Sequence, residues 1–194
     1  MQGKNLNRLT GTALLCAIVV TLQVVASFVK FGPFSITLAL IPIIVGAAMY
    51  GPRAGAVLGG TFGVVTLIMS INGVDVGAHI LWAAKPAVTA ILCVLKGALA
   101  GWGAGLVYAV AAKRNRYVGV FCAAFVCPVI NTGIFIAAMA LFYRDILTLW
   151  AGDTHILYYT LIGLTGVNFL IELGVNIVLA PTTMRIISLK KNTV

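Results

Sequence analysis

Glu172 is the only glutamate in this 194-residue chain, and it follows Asn168 by four residues and precedes Asn176 by four. On a helix those three side chains share one face. The surrounding run is apolar enough to cross a bilayer, where an ionisable group costs at least ~2.5–3.5 kcal/mol and normally turns toward protein, a counter-charge or a cavity. Lys96 raises the same question. It lies eleven residues after Lys85 in another apolar run, about 16 Å along a helix axis. Glu172 lies fifteen residues past Leu157, roughly 22 Å along its own helix. A Lys96–Glu172 pair would neutralise two costly charges, and Asn131 and Thr132 sit midway along a third run. Two readings are open: a buried ion pair with amides as interhelical glue, or a polar pocket among three helices that hydrogen-bonds a solute.

Other chemistry finds less support. An acid–base role for Glu172 in a membrane enzyme would need clustered histidines or aspartates. His79 and His155 stand apart, and no aspartate pair occurs. Cys16, Cys93, Cys122 and Cys127 form no CxxC pair and have no metal-ligand spacing with either histidine. They read as buried, inert thiols, and neither a metal nor a cofactor is expected. Glycines recur every four residues at Gly51, Gly55, Gly59 and Gly63, and again at Gly97, Gly101 and Gly105. There is no GxxxxGK[ST] phosphate loop, so these stripes predict close helix packing.

The elements that carry these residues are membrane spans. The chain is 61% hydrophobic and 9% charged, with a mean hydropathy of +1.10, whereas a soluble domain carries about 25% charge. Spans are predicted at about Leu9–Phe28, Phe34–Tyr50, from the Gly51-Pro52-Arg53 turn to Ser70, Ala84–Ala112, Val118–Tyr143 and Leu157–Ile187. The expectation is one all-α integral membrane domain over 1–194, a bundle of six transmembrane helices. Lys4 and Arg8 precede a first run without a small-residue cleavage site, which reads as a retained helix. A loop with Lys30, Gly32 and Pro33 follows that run, and polar loops are expected at Ile71–Trp82 and Arg144–His155. Those two loops are either lids over an outward-facing site or plain connections.

With six spans, both termini share a side. That side collects Lys4, Arg8, Arg53, Lys113, Arg114, Arg116, Arg185, Lys190 and Lys191, against Lys30, Lys85 and Arg144 opposite, where Asp75, Asp145 and Asp153 also lie. The bias predicts cytoplasmic termini. It also accounts for the +9 net charge without a nucleic-acid partner, because no soluble basic face exists. Trp82, Trp150, Tyr158 and Tyr159 fall near the outer ends, either as interfacial belt residues or as rings that stack on a ligand. Ala13 and Ala17 make a short small-residue stripe on the first span, for internal packing or for docking.

The run Ile41-Pro42-Ile43-Ile44-Val45-Gly46, followed by Tyr50-Gly51-Pro52-Arg53-Ala54-Gly55 and Gly59, resembles the substrate-binding S components of energy-coupling factor (ECF) vitamin transporters. Pro128-Val129-Ile130-Asn131-Thr132-Gly133 and Asn168-Phe169-Leu170-Ile171-Glu172 are similar to that superfamily's later helices. The resemblance covers nearly the whole chain. It implies a six-helix bundle in a prokaryotic cell membrane that binds a vitamin from outside. It further implies docking on a membrane coupling protein, the T component, that carries two cytoplasmic ATPases. Ala13 and Ala17 match the family's docking motif. The solute site falls between helices four to six and the outer loops, with Lys96, Asn131, Thr132, Asn168, Glu172 and Trp82 as its residues.

One lysine, one glutamate and several amides suit a small polar anion such as pantothenate. The acidic-serine signature of riboflavin binders and the Pro-Phe-rich run of folate binders are not seen, yet riboflavin, folate and other vitamins stay open. The competing classes are a self-sufficient small oligomeric transporter and an integral-membrane enzyme.

Overall fold

The computed structural model describes residues 2–28, 30–31, 34–35, 37–152, 154–155, 158–164 and 166–191. Gly32, Pro33, Asp153 and Leu157 lie outside the described residues, as do the side chains of Lys4, Lys30, Lys190 and Lys191. The first helix, α1, runs Gln2–Ala26. A two-residue antiparallel pair follows, β1 (Lys30–Phe31) against β2 (Phe34–Ser35), with Phe31 opposite Phe34. Then come α2 (Leu40–Tyr50), α3 (Pro52–Ile71), α4 (Val76–Ala84), α5 (Pro86–Ala111), α6 (Arg116–Phe142) and α7 (Arg144–Ala151). A π-helical segment at Tyr159–Leu164 leads into α8 (Gly166–Lys191).

The architecture is all-helical apart from that small β pair. Among the described residues, five helices (within α1, α3, α5, α6 and α8) are long and apolar enough to cross a membrane, and α2 is a shorter apolar helix. The second predicted span is therefore helical only from Leu40. The chain before it is extended at β2 and bends into the helix at Ala39. The two polar loops also differ from expectation, since each contains a short helix. At the first, the Asp75 carboxylate accepts from the Ala78 N–H at 3.0 Å and caps α4.

Local chemistry sets the helix boundaries. Gly51, at φ 90°, closes α2 through its N–H to the Ala47 carbonyl, a backbone region where only glycine is unstrained. Pro52 then opens α3 and Pro86 opens α5, a position where the missing N–H costs nothing. Asn115 caps α6 by accepting from the Tyr117 N–H.

The glycine stripes meet each other. A Cβ on Gly55, Gly59 or Gly63 of α3 would run into the backbone of Gly101, Gly97 or Cys93 of α5. This seam brings α5 and its Lys96 beside α3. One apolar cluster, with Leu40, Ile43, Leu58, Phe62, Ala100 and Cys127, fills one end of the bundle. A second, with Leu81, Leu92, Met139, Tyr143 and Leu147, lies at the α4 and α7 end. There the Tyr143 hydroxyl hydrogen-bonds Thr89 Oγ1 at 2.7 Å and donates to the Lys85 carbonyl at 3.2 Å, tying the close of α6 to the start of α5.

Candidate functional site

A cavity with about 760 Å³ of non-atom space, its mouth included, lies among α1, α3, α4, α5, α6 and α8. Its walls come from Gln23 of α1, Thr37 ahead of α2, Phe62 and Thr66 of α3, and Asp75 to Leu81 at α4. Thr89 to Lys96 of α5, Asn131 to Phe135 of α6, and Asn168 to Glu172 of α8 complete them. Five of the six expected solute-site residues therefore line one space: Lys96, Asn131, Thr132, Asn168 and Glu172. Trp82, half-buried on α4, does not line it.

Glu172 meets a backbone group. Its Oε1 accepts from the Thr37 N–H at 3.1 Å. The chain is not yet helical at Thr37, so this N–H has no intrahelical carbonyl, and an unsatisfied amide at membrane depth costs several kcal/mol. The carboxylate thus lets an irregular segment lie inside the bundle. Its Oε2 makes no hydrogen bond among the described residues. Asn176, one turn on, turns its amide back onto the Glu172 carbonyl at 2.7 Å and is not a wall of the cavity.

The Lys96–Glu172 pair is not formed among the described residues. Lys96 Nζ instead lies over the rings of Phe135 and Phe62, 5.3 and 5.9 Å from their centroids. Ring faces attract a cation, which favours the half-buried ammonium in this position without a direct ion pair. Asn131 is buried, and its Oδ1 has no hydrogen-bond partner among the described residues. The amides that could have been packing glue are thus divided: Asn176 bonds its own helix through its N–H while its Oδ1 has no partner among the described residues, and Asn131 lines the cavity.

Sequence reasoning missed several walls. Gln23 is the one amide in the first apolar run, and the logic applied to Glu172 would have flagged it. Asp75 was assigned to a loop, although an acidic residue before Val76 is also an N-cap signal. Thr66 and Thr89 carry no comparable signal, because a threonine on an apolar helix bonds its own backbone, as both do here at 3.0 Å. Thr37 acts through its main chain, which side-chain spacing does not report.

Among the described residues, no group of three His, Cys, Asp or Glu side chains could hold a metal ion. The cysteines are free thiols; Cys93 borders the cavity and Cys127 is fully buried. The arrangement can bind: it offers an ammonium, a carboxylate oxygen, amides and hydroxyls inside a helical bundle with apolar flanks. The chain matches no curated protein and no solved structure. The family model of the ECF transporter substrate-specific component matches residues 7–183. With five bilayer-length apolar helices and a polar cavity among them, this multi-pass membrane chain belongs to the substrate-specific components of ECF transporters.

Proposed function

We propose that this protein is the S component that captures a water-soluble vitamin outside a prokaryotic cell, for import driven by partner ATPases. The observation that carries the reading is the cavity, where Lys96, Asn131 and Glu172 converge with polar capacity that the described residues leave unused. A buried group of this kind is costly unless a ligand completes it. Six passes are supported by the way successive segments reach the same site. Gln23 lies near the end of α1, Thr37 just before α2, Thr66 late in α3, Lys96 early in α5, Asn131 past the middle of α6, and Asn168 early in α8. Alternating approach of this kind supports a topology with both termini on the side away from the cavity, and the basic residues support that side as cytoplasmic.

The cavity's end of the bundle is then the outer one, with α4 as part of its cover. A T component and two ATPases supply the energy, and the docking surface on this chain includes Ala13 and Ala17. Pantothenate is the favoured vitamin on the charge and polarity of the lining residues. Purified protein in detergent is expected to gain thermal stability with one water-soluble vitamin, to bind it by calorimetry, and to hydrolyse no ATP alone. ATP-driven uptake should appear only on reconstitution with the coupling module. Failure of every water-soluble vitamin to bind would overturn the vitamin assignment, and uptake without the module would favour a self-sufficient transporter.

A further inference from the structure

Resting on the solute-binding reading above, we infer that the solute is a small carboxylic acid carrying hydroxyl or N–H donors, and that Gln23 of α1 is one of its ligands. Gln23, Asn131 and Glu172 are 4%, 4% and 5% exposed. Each residue lines the cavity, and each has a buried polar atom without a hydrogen-bond partner among the described residues: Gln23 Oε1, Asn131 Oδ1 and Glu172 Oε2. Leaving a polar group buried without a partner is destabilising. Three such groups around one space, drawn from three helices, describe a preformed cradle. The Glu172 carboxylate can only accept when ionised, so its open oxygen calls for an O–H or N–H on the solute. The two amides can donate or accept, so they suit hydroxyl and amide groups alike.

Lys96 sets the other end. Among the described residues its ammonium has ring contacts with Phe62 and Phe135 and no ion pair. Both carboxylates on the cavity wall have one oxygen committed, Glu172 to the Thr37 N–H and Asp75 to the N-terminus of α4. The two carboxylates keep their charge, yet no direct ion pair holds Lys96 among the described residues, so its ammonium is open to an anionic group on the solute. Such a ligand also supplies the link between Lys96 and Glu172 that the two side chains do not make directly.

The test pairs each acidic vitamin with a neutral analogue, using calorimetry on the full-length protein: pantothenate with pantothenol, biotin with its methyl ester, nicotinate with nicotinamide. Thiamine serves as the cationic comparison. In the pair that binds, the acid is expected to be about tenfold tighter or more, since a site built for a polar group rejects the analogue that lacks it. Lys96→Met, or Lys96→Gln if the first does not fold, should bring that ratio to about onefold. Gln23→Met should weaken both members about tenfold, while the unfolding midpoint without ligand stays level or rises, because a buried unpaired amide has been replaced by an apolar isostere.

Tightest binding by thiamine or by a neutral analogue would overturn the acid assignment and leave the S-component reading standing. Unchanged affinity in Gln23→Met, or a lower midpoint with full affinity, would remove Gln23 from the site. Absence of binding by every compound in this set would overturn this inference, and the vitamin reading would fall with it only if riboflavin, folate and the remaining water-soluble vitamins also failed to bind.

Discussion

At the scale of single residues, the two oxygens of Glu172 do different work, and substitutions can separate them. Oε1 holds the Thr37 N–H, and Oε2 has no hydrogen-bond partner among the described residues. Glu172→Gln keeps an acceptor for Thr37 and removes the charge, so the protein should fold while affinity for the bound vitamin falls. Glu172→Leu leaves the Thr37 N–H unsatisfied as well, and its unfolding should become easier by about 1–3 kcal/mol. Asn131→Ala breaks no hydrogen bond within the described residues, so affinity should drop with little change in the unfolding midpoint. Thermal unfolding in detergent beside calorimetry checks all three. An Asn131→Ala protein that loses stability and keeps its affinity would make that amide structural. The sequence marked Glu172, Lys96 and Asn131 because a polar side chain in hydrocarbon is expensive wherever it lies. It could not show whom they meet. The partner of Glu172 is a main-chain group exposed by a break in regular structure, and the neighbours of Lys96 are two rings on different helices.

At the scale of elements, the seam between α3 and α5 fixes how closely the cavity's walls approach. Without a hydrophobic drive between helices in lipid, dispersion gained by close backbone contact is a main source of their association. Gly59→Val should force the helices apart at Gly97, lowering the unfolding midpoint by an amount equivalent to about 1–3 kcal/mol, as overpacking does elsewhere. Gly60 is the internal control, because a Cβ there meets nothing within 4 Å. Gly60→Ala should be neutral, or stabilising by up to about 1 kcal/mol through helix propensity. Equal behaviour of the two variants in a thermal-unfolding assay would mean that the seam does not hold the bundle. This seam was readable in advance, since the four-residue spacing of small residues has one dominant physical use in a membrane. The exception was Gly51, which keeps the spacing and serves the turn. The start of α2 was not readable: a continuous apolar run has no period to show where a helix begins, so the extended stretch at β2 looked like helix. The α4 helix was hidden for another reason: Asn72 and Asp75 just before it, with His79 inside it, made a short and otherwise apolar segment pass for a loop.

At the scale of the whole molecule, binding and transport are separable, because the residues proposed for each lie on different faces. α1 is the least embedded of the five long helices, with 17% of its most apolar window buried against 33–50% for the others. Ala13 and Ala17 are exposed on it, whereas Gln23, near its end, turns into the cavity. On the proposed reading, one helix therefore touches both the solute and the T component. A small-residue pair four apart lets a partner helix approach closely, and a bulky side chain there blocks that approach without entering the core. Ala13→Trp and Ala17→Trp should thus abolish ATP-driven vitamin uptake in proteoliposomes holding the complete transporter. Vitamin affinity of the isolated protein should stay at the unsubstituted level, since neither alanine lines the cavity. Co-purification with the T component should fail in the same variants, which locates the defect in assembly. Normal uptake by both would remove this face from docking. Lost uptake together with lost affinity would mean that α1 cannot be altered at Ala13 or Ala17 without disturbing Gln23, and that the two faces act as one.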